Sequence, residues 1–279
     1  MKKLIRKVLP LAYGTYFNTL AIFSKKSAAK KAFKTFCTTR KGRVLPQQQG
    51  FLEKAKHSTE KVSDRQLQVY HWPGNGERVL LLHGWESNTF RWRNLISYLK
   101  EANFDIMAFD APGHGHSSGS WFHVPLYTQC LQHIVEKHQP KYLVAHSLGG
   151  MTAMYNQYKY PESSIAKIVT IGSPSEFHEI MSDYQRILSL SNRVMDGLNN
   201  YIKTNFGFEI RDFSTSRFAL ENTKKGLLFH DRLDAIAPFH ASEQVHANWK
   251  GSELVATEGL GHSMHQEEVN EKIIHFLNS

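Results

Sequence analysis

A serine hydroxyl becomes a nucleophile when a base can take its proton and an acid orients that base. Three stretches of this 279-residue chain hold those residue types: KYLVAHSLGG at 141–150, LLFHDRLDAIAP at 227–238 and TEGLGHSMH at 257–265. In the first, Tyr142 to Ala145 is a short apolar run that predicts a buried strand, and Met151 to Tyr158 predicts a helix. Ser147 stands between them, followed closely by Gly149 and Gly150. A serine at the apex of a sharp strand-to-helix turn is the arrangement called a nucleophile elbow, whose strained geometry favours small residues two before and two after the serine. The pattern is usually G-x-S-x-G, and here Ala145 replaces the first glycine.

The acid and the base are expected just past later strand ends, in the order Ser, acid, His. In the second stretch the strand ends near His230, and Asp234 precedes an apolar-Pro turn that suits a fixed orienting carboxylate. Asp231 is the other candidate, with a turn-forming role as its structural alternative. In the third, Gly259 and Gly261 flank a loop from which His262 can reach the serine. His265 is the alternative base, more readily a surface histidine or one at the start of a helix. The developing oxyanion needs two N–H donors. The Leu148 amide directly follows the serine, and His83-Gly84-Trp85 begins a loop after an earlier strand, which offers the Trp85 amide. Trp85 can equally serve as a core aromatic. His83, Gly84 and His146 are candidates to line the substrate pocket. Asp110 to Ser117 (DAPGHGHS) contains His114 and His116 without a third ligand cluster, and reads as a tight loop shaping the floor of the site rather than as a metal centre.

These residues need a scaffold, and the pattern supplies one. Strands at Val79–Leu82, Ile106–Phe109, Tyr142–Ala145, Ile168–Ile171, Leu227–Phe229 and Leu254–Ala256 alternate with helices at Arg91–Leu99, Leu126–Lys137, Met151–Tyr158 and Val269–Leu277. That alternation predicts an α/β fold with a mostly parallel sheet covered by helices on both faces. Lys56 to Trp72 predicts an antiparallel hairpin, and Gln47 to Gly50 a linker. Some 50 residues separate the strands ending near Ile171 and starting near Gly226, far beyond an ordinary crossover. We expect a small helical cap there, at about 175–223, with Ile187, Val194, Leu198 and Tyr201 marking one amphipathic helix. Its apolar side chains, among them Phe177, Met181, Phe206 and Phe213, either contact an apolar acyl group or only pack the cap.

The net charge of +9 is unevenly placed. Residues 1–52 hold 12 Lys and Arg and no Asp or Glu, so the other 22 positive and 25 negative side chains leave the remainder at −3. No basic face is evident on the body, and nucleic acid is not an expected partner. The arm, taken as 1–52 against a body of 53–279, carries helical spacing at Leu9, Tyr13, Tyr16, Phe17 and Leu20, with Ser27 able to cap a second helix. A signal peptide is one reading, opposed by Gly14, Thr15, Asn18 and Thr19 in its middle. A basic amphipathic surface on anionic membrane is another, and helices packed on the body with a solvated lysine face a third. Cys37 and Cys130 are far apart and outside CxxC or metal spacing, which suits free thiols in a cytoplasmic, reducing compartment.

Five short motifs (HGW, DAPGHGHS, AHSLGG, HDRLD and GLGHS) occur in an order and at intervals that resemble the α/β-hydrolase superfamily, in its serine esterase or lipase-like branch, from about Lys61 to Ser279. Small bacterial lipases of that fold carry the A-H-S-x-G-G form of the elbow. The resemblance implies a triad of Ser147, Asp234 and His262 with an oxyanion hole at Trp85 and Leu148. It implies a carboxylic-ester or thioester hydrolase working through an acyl-enzyme, on a small or apolar acyl substrate, with no cofactor, metal or obligate protein partner. Its serine nucleophile argues against the dehalogenase and epoxide-hydrolase branches, which use aspartate. An acyltransferase with the same triad, or a non-catalytic binding protein of the same fold, are the alternatives.

Overall fold

The computed structural model describes the backbone of residues 2–279 and the side chains of residues 8–279. In chain order its elements are α1 (Lys2–Phe23), α2 (Lys25–Cys37), α3 (Pro46–Leu52), β1 (Lys56–Val62), β2 (Arg65–Trp72), β3 (Arg78–Leu82), α4 (Arg93–Glu101), β4 (Asp105–Phe109), α5 (Val124–His138), β5 (Tyr142–His146) and α6 (Leu148–Lys159). There follow β6 (Lys167–Ile171), α7 (Phe177–Leu188), α8 (Asn192–Phe206), α9 (Thr215–Phe218), β7 (Lys225–Asp231), α10 (His240–Asn248), β8 (Ser252–Thr257) and α11 (Glu267–Asn278). The chain divides into two compact units: residues 39–175 with 215–279, and residues 1–38 with 176–214. The division falls after Thr38, Ser175 and Ser214 rather than at residue 52.

The larger unit is built on a sheet of order β1-β2-β4-β3-β5-β6-β7-β8. The expected hairpin pairs β1 with β2 antiparallel, β2 joins β4 antiparallel, and every pairing from β4 through β8 is parallel. Successive strand residues face opposite sides, which sorts the core into two layers. Val79, Leu81, Val144, Val169 and Phe229 join one, whereas Leu80, Leu82, Leu143, Ala145, Ile168 and Leu228 join the other. Strands apolar on both faces belong to a sheet covered by helices on both sides. The expected linker at Gln47–Gly50 is instead helical. Pro46 opens α3, where a missing N–H costs no hydrogen bond, and Gln48 Oε1 accepts from Leu45 N at 2.9 Å to close the first turn.

The smaller unit is all helical. Ala28, Ala29 and Ala32 on α2 are buried, and a Cβ on Gly197 of α8 would lie 3.2 Å from Ala29 Cβ, so small side chains set this close helix packing. A Cβ on Gly14 of α1 would fall 1.6 Å from Leu188 O, and Asn18 accepts from Ser191 N (2.8 Å) while donating to Ser189 O (2.9 Å). These contacts dock α1 on the α7–α8 turn. The single helix expected through Ile187 and Tyr201 is two, because Ser189 turns left-handed at φ 52° and ends α7, leaving Ile187 half-exposed. The α2 cap is Ser24, whose Oγ accepts from Ser27 N at 3.2 Å, and not Ser27 itself. Phe36 meets Phe177 and Tyr184, and Phe33 meets Tyr201 and Phe206. The apolar residues of the insertion therefore pack largely against the arm. No helix among the described residues is long and apolar enough to cross a membrane.

Candidate active site

Five residues converge because their strands run parallel and end at one edge of the sheet, where ligand sites of open α/β sheets form. Gly84 lies just past β3, Ser147 follows β5, Gly172 follows β6, Asp234 lies three residues past β7, and His262 five past β8.

Ser147 holds φ 53° and ψ −125°, a sparsely populated conformation for a residue with a side chain. Its neighbours keep it there. Ser147 N donates to Ile171 O at 2.9 Å, and Ser147 O accepts from Gly150 N at 2.9 Å as α6 begins. A Cβ on Gly149 would lie 2.6 Å from Leu82 O and 2.8 Å from His83 O, which is why this position needs glycine. Ala145 shows that the residue two before the serine has room for a methyl group, buried in one core layer.

His262 Nδ1 donates to Asp234 Oδ2 at 2.7 Å. The other Asp234 oxygen accepts from the amides of Ile236 (2.8 Å) and Ala237 (3.1 Å). Burial alone would raise the Asp234 pKa, but the His262 hydrogen bond and the two amides outweigh it and hold the carboxyl below its ordinary range. The pair is thus a carboxylate-oriented imidazole with Nε2 as its remaining ring nitrogen. His262 also packs edge-on against His146, ring centroids 4.7 Å apart, and His146 Nε2 donates to His262 O at 2.9 Å. Among the described residues no hydrogen bond joins Ser147 Oγ to His262; they are held together through His146, the residue before the serine. Catalytic hydrogen bonds of this kind commonly tighten only when substrate is bound.

Asp231 is not part of this pair. Its carboxylate accepts from Leu233 N and Gly259 N on one oxygen and from Thr257 Oγ1 and Leu260 N on the other. It staples the Asp234 loop to the His262 loop, a role wider than the turn expected of it. His265 O accepts from Asn94 Nδ2 and Asn270 Nδ2 beside the start of α11, and burial followed by Arg91 and Arg93 pushes the His265 imidazole down to about 4.

The amides of Trp85 and Leu148, the expected oxyanion donors, make no other hydrogen bond among the described residues. A Cβ on Gly84 would stand 2.8 Å from Ser147 Cβ, so the loop that carries Trp85 closes directly on the serine. His83 and His146, expected in the substrate pocket, are buried in the scaffold instead. His83 Nδ1 donates to Gly84 O and its Nε2 accepts from Ala111 N, and burial first, opposed by the Gly84 bond, leaves it neutral with a pKa of about 4.

Two contributors have roles here that sequence reasoning did not assign to them. Gly172 (φ 55°) lies so close that a Cβ there would stand 3.2 Å from His262 Nδ1 and 3.3 Å from Asp234 Oδ2. Its available signal was a glycine directly after a strand. His114, seen only as part of the floor loop, accepts from Glu86 N (3.0 Å) and donates to Pro112 O (3.0 Å), pinning the Trp85 loop from below. Burial, reinforced by His83, lowers it to about 3, so it stays neutral and can accept. No group of three or more His, Cys, Asp or Glu among the described residues could hold a metal ion.

A family model described as the alpha/beta hydrolase fold matches residues 77–207. An esterase from Exiguobacterium antarcticum superposes with a TM-score of 0.64 at 18% identity, covering 80% of this chain and 100% of that one. The chain has the α/β-hydrolase fold. A bromoperoxidase from Bacillus anthracis is as similar (TM-score 0.63, 19% identity, 80% and 100% covered), so the fold by itself does not choose a reaction. By sequence, this chain is 33% identical over 111 residues to a pimeloyl-[acyl-carrier protein] methyl ester esterase of Vibrio vulnificus, covering 38% of this chain and 42% of that protein. It is 32% identical over 123 residues to a serine hydrolase-like protein of Danio rerio, covering 41% and 37%. The chain thus spans about two fifths of the length of the curated relatives it matches.

Proposed function

We propose that this α/β hydrolase is a serine esterase that cleaves carboxylic esters or thioesters through an acyl-enzyme on Ser147. The reading is carried by one observation: Asp234 and His262 are hydrogen-bonded at the strand edge where the strained Ser147 stands, beside two amides that have no other bond. His262 takes the Ser147 proton as Oγ attacks the acyl carbon. The amides of Trp85 and Leu148 receive the oxyanion. His262 then protonates the departing alcohol or thiol, and water, deprotonated by the same imidazole, releases the acid. The pairing with methyl ester and serine hydrolase relatives supports this class of bond. Because the insertion's aromatic residues pack against α2, the preference for an apolar acyl group has lost its support in the insertion, and a small acyl group is the better expectation. Fluorophosphonate labelling tests the nucleophile: the wild-type chain is expected to be labelled and Ser147→Ala is not. Equal labelling of the two would remove Ser147 from the mechanism.

The arm suits peripheral contact with an anionic membrane, and a place in the cytoplasm beside it accords with two buried free thiols. Phe17 and Ala21 of α1 face the unit's core, while Val8, Leu11, Tyr16, Ile22 and Phe23 are exposed, Phe23 at 83%. Lys30, Lys31 and Lys34 on α2 are exposed as well. An apolar face with lysines nearby matches a lipid surface of negative charge. Deleting the arm would strip the helical unit of its core, so surface substitutions are the cleaner probe. Leu11→Ser, Ile22→Ser and Phe23→Ser together are expected to weaken binding to phosphatidylglycerol vesicles by about 100-fold, from the apolar burial lost. Raised salt should weaken the wild type too. Vesicle binding that ignores both changes would sink the idea.

A further inference from the structure

The sheet unit has a second feature that the proposed reaction does not use. A cleft of about 610 Å³ is lined by Arg40, Lys41, Arg43, Arg91 and Arg93, with Glu86 as its acid. Glu86 already accepts from Arg40 N at 3.2 Å. Arg43 is anchored on backbone, its guanidinium donating to Ser117 O and Gly119 O at 2.6 Å each.

Arg91 is the anomaly. It is only 8% exposed, yet none of the ion pairs among the described residues includes it. Its Nη2 donates to Ser263 O at 3.0 Å, and its guanidinium lies over the Trp92 ring at 4.6 Å. Burial, with Arg93 second, lowers its pKa to about 9, which leaves it charged at neutral pH. A buried cation without a counter-ion is costly, and such groups are normally paired. Here the neighbouring charges that line the cleft are mostly of its own sign, which compounds the cost. An anion entering the cleft would relieve it.

The cleft also adjoins the reaction site. Glu86 and Ser87 continue the oxyanion loop from Gly84 and Trp85, so the rim lies within about 7–10 Å of the loop that closes on Ser147. On the other side, Arg91 holds the carbonyl of Ser263, the residue after His262. Arg91 and Arg93, with guanidinium forks of the kind that grip phosphate oxygens two at a time, and Lys41 beside them suit a phosphate better than a neutral group, while Arg40 and the backbone-anchored Arg43 add positive charge to the lining. The volume exceeds that of a bare phosphate and falls within the range of small-molecule sites.

We propose that this cleft binds the phosphate group of a phosphate-bearing acyl substrate, holding it beside the oxyanion loop while the acyl ester or thioester reaches Ser147. The proposal names the substrate class for the serine esterase reading and rests on it. Binding is measured by isothermal titration calorimetry at low ionic strength, with inorganic phosphate and phenyl phosphate as probes. Phenyl phosphate is expected to bind more tightly than inorganic phosphate and to raise KM for p-nitrophenyl acetate. Lys41→Gln with Arg93→Gln, in a chain whose melting is verified, should weaken it by about tenfold or more. No saturable binding at millimolar phenyl phosphate, or binding untouched by the double substitution, overturns the proposal. Equal affinity for the two probes with KM unchanged overturns the substrate assignment and leaves a free-phosphate site. Fluorophosphonate labelling separates the two readings. A labelled chain that binds no phosphate refutes the cleft alone, and an unlabelled chain that binds it refutes the esterase alone.

Discussion

Asp234→Asn is expected to lower kcat for a p-nitrophenyl ester by about 10⁴-fold, with the fold intact and KM little changed. The size of the effect follows from which way the new amide must face. One Asp234 oxygen accepts from the amides of Ile236 and Ala237, and only the Asn carbonyl can replace it there. The Asn NH₂ is then directed at His262, where the wild-type chain has a carboxylate accepting from Nδ1 at 2.7 Å. An imidazole that accepts at Nδ1 carries its proton on Nε2, and that tautomer cannot take the proton of Ser147. Asp234→Ala leaves the tautomer free and is expected to cost less. The measurement is the pair of steady-state rates. If Asn is within tenfold of wild type, or no worse than Ala, Asp234 is not the orienting acid.

The second large effect concerns stability. Gly115→Ala would place a Cβ 1.8 Å from Asp110 Oδ2 and 2.0 Å from its Cγ, at φ 46°. Asp110 is fully buried and accepts from Thr89 N, Tyr70 Oη and His116 N, each at 2.9 Å. Moving the carboxylate strands buried donors at about 1–3 kcal/mol each, and the left-handed backbone adds about 1–2 kcal/mol. We expect a loss of about 4 kcal/mol and a fall in Tm of roughly 10 °C. Gly259→Ala is the control, because it has φ 83° but nothing within 4 Å of the added methyl group. It should cost only about 1 kcal/mol. Equal melting of the two variants would show that the Asp110 contact is unimportant.

The strands at Val79, Ile106, Leu143, Ile168 and Leu227 were legible because two-faced burial writes a short apolar run for each, and the edge strand at Leu254 by its shorter run, though it is only partly buried. The site was legible for a related reason: every candidate sits just beyond such a run, so finding the strands located the residues. What misled was local. Gln47–Gly50 reads as polar linker, but its helix depends on Pro46 and on one side-chain bond from Gln48. Ile187 and Val194 fit one helical period, and the break at Ser189 between them rests on where α1 docks, with Asn18 holding Ser189 O and Ser191 N. Apolar residues in the insertion could not reveal their partners, since Phe33 and Phe36 lie more than a hundred residues before them in the chain.

The sequence by itself determined the α/β layering, the strand ends past which Ser147, Asp234 and His262 stand, and the choice of Asp234 over Asp231 as the carboxylate paired with His262. Those depend on periodicity and on position relative to strand ends, which are local properties. Tertiary structure alone decided that His83, His114 and His146 are neutral braces, that Asp231 joins two loops, and that Gly172 makes room for the Asp234–His262 pair. It alone gathered four other cations into one cleft with the buried Arg91, which forms no ion pair among the described residues. Each of these depends on which distant backbone atom or charge lies within a few ångströms, and residue spacing along the chain does not carry that information.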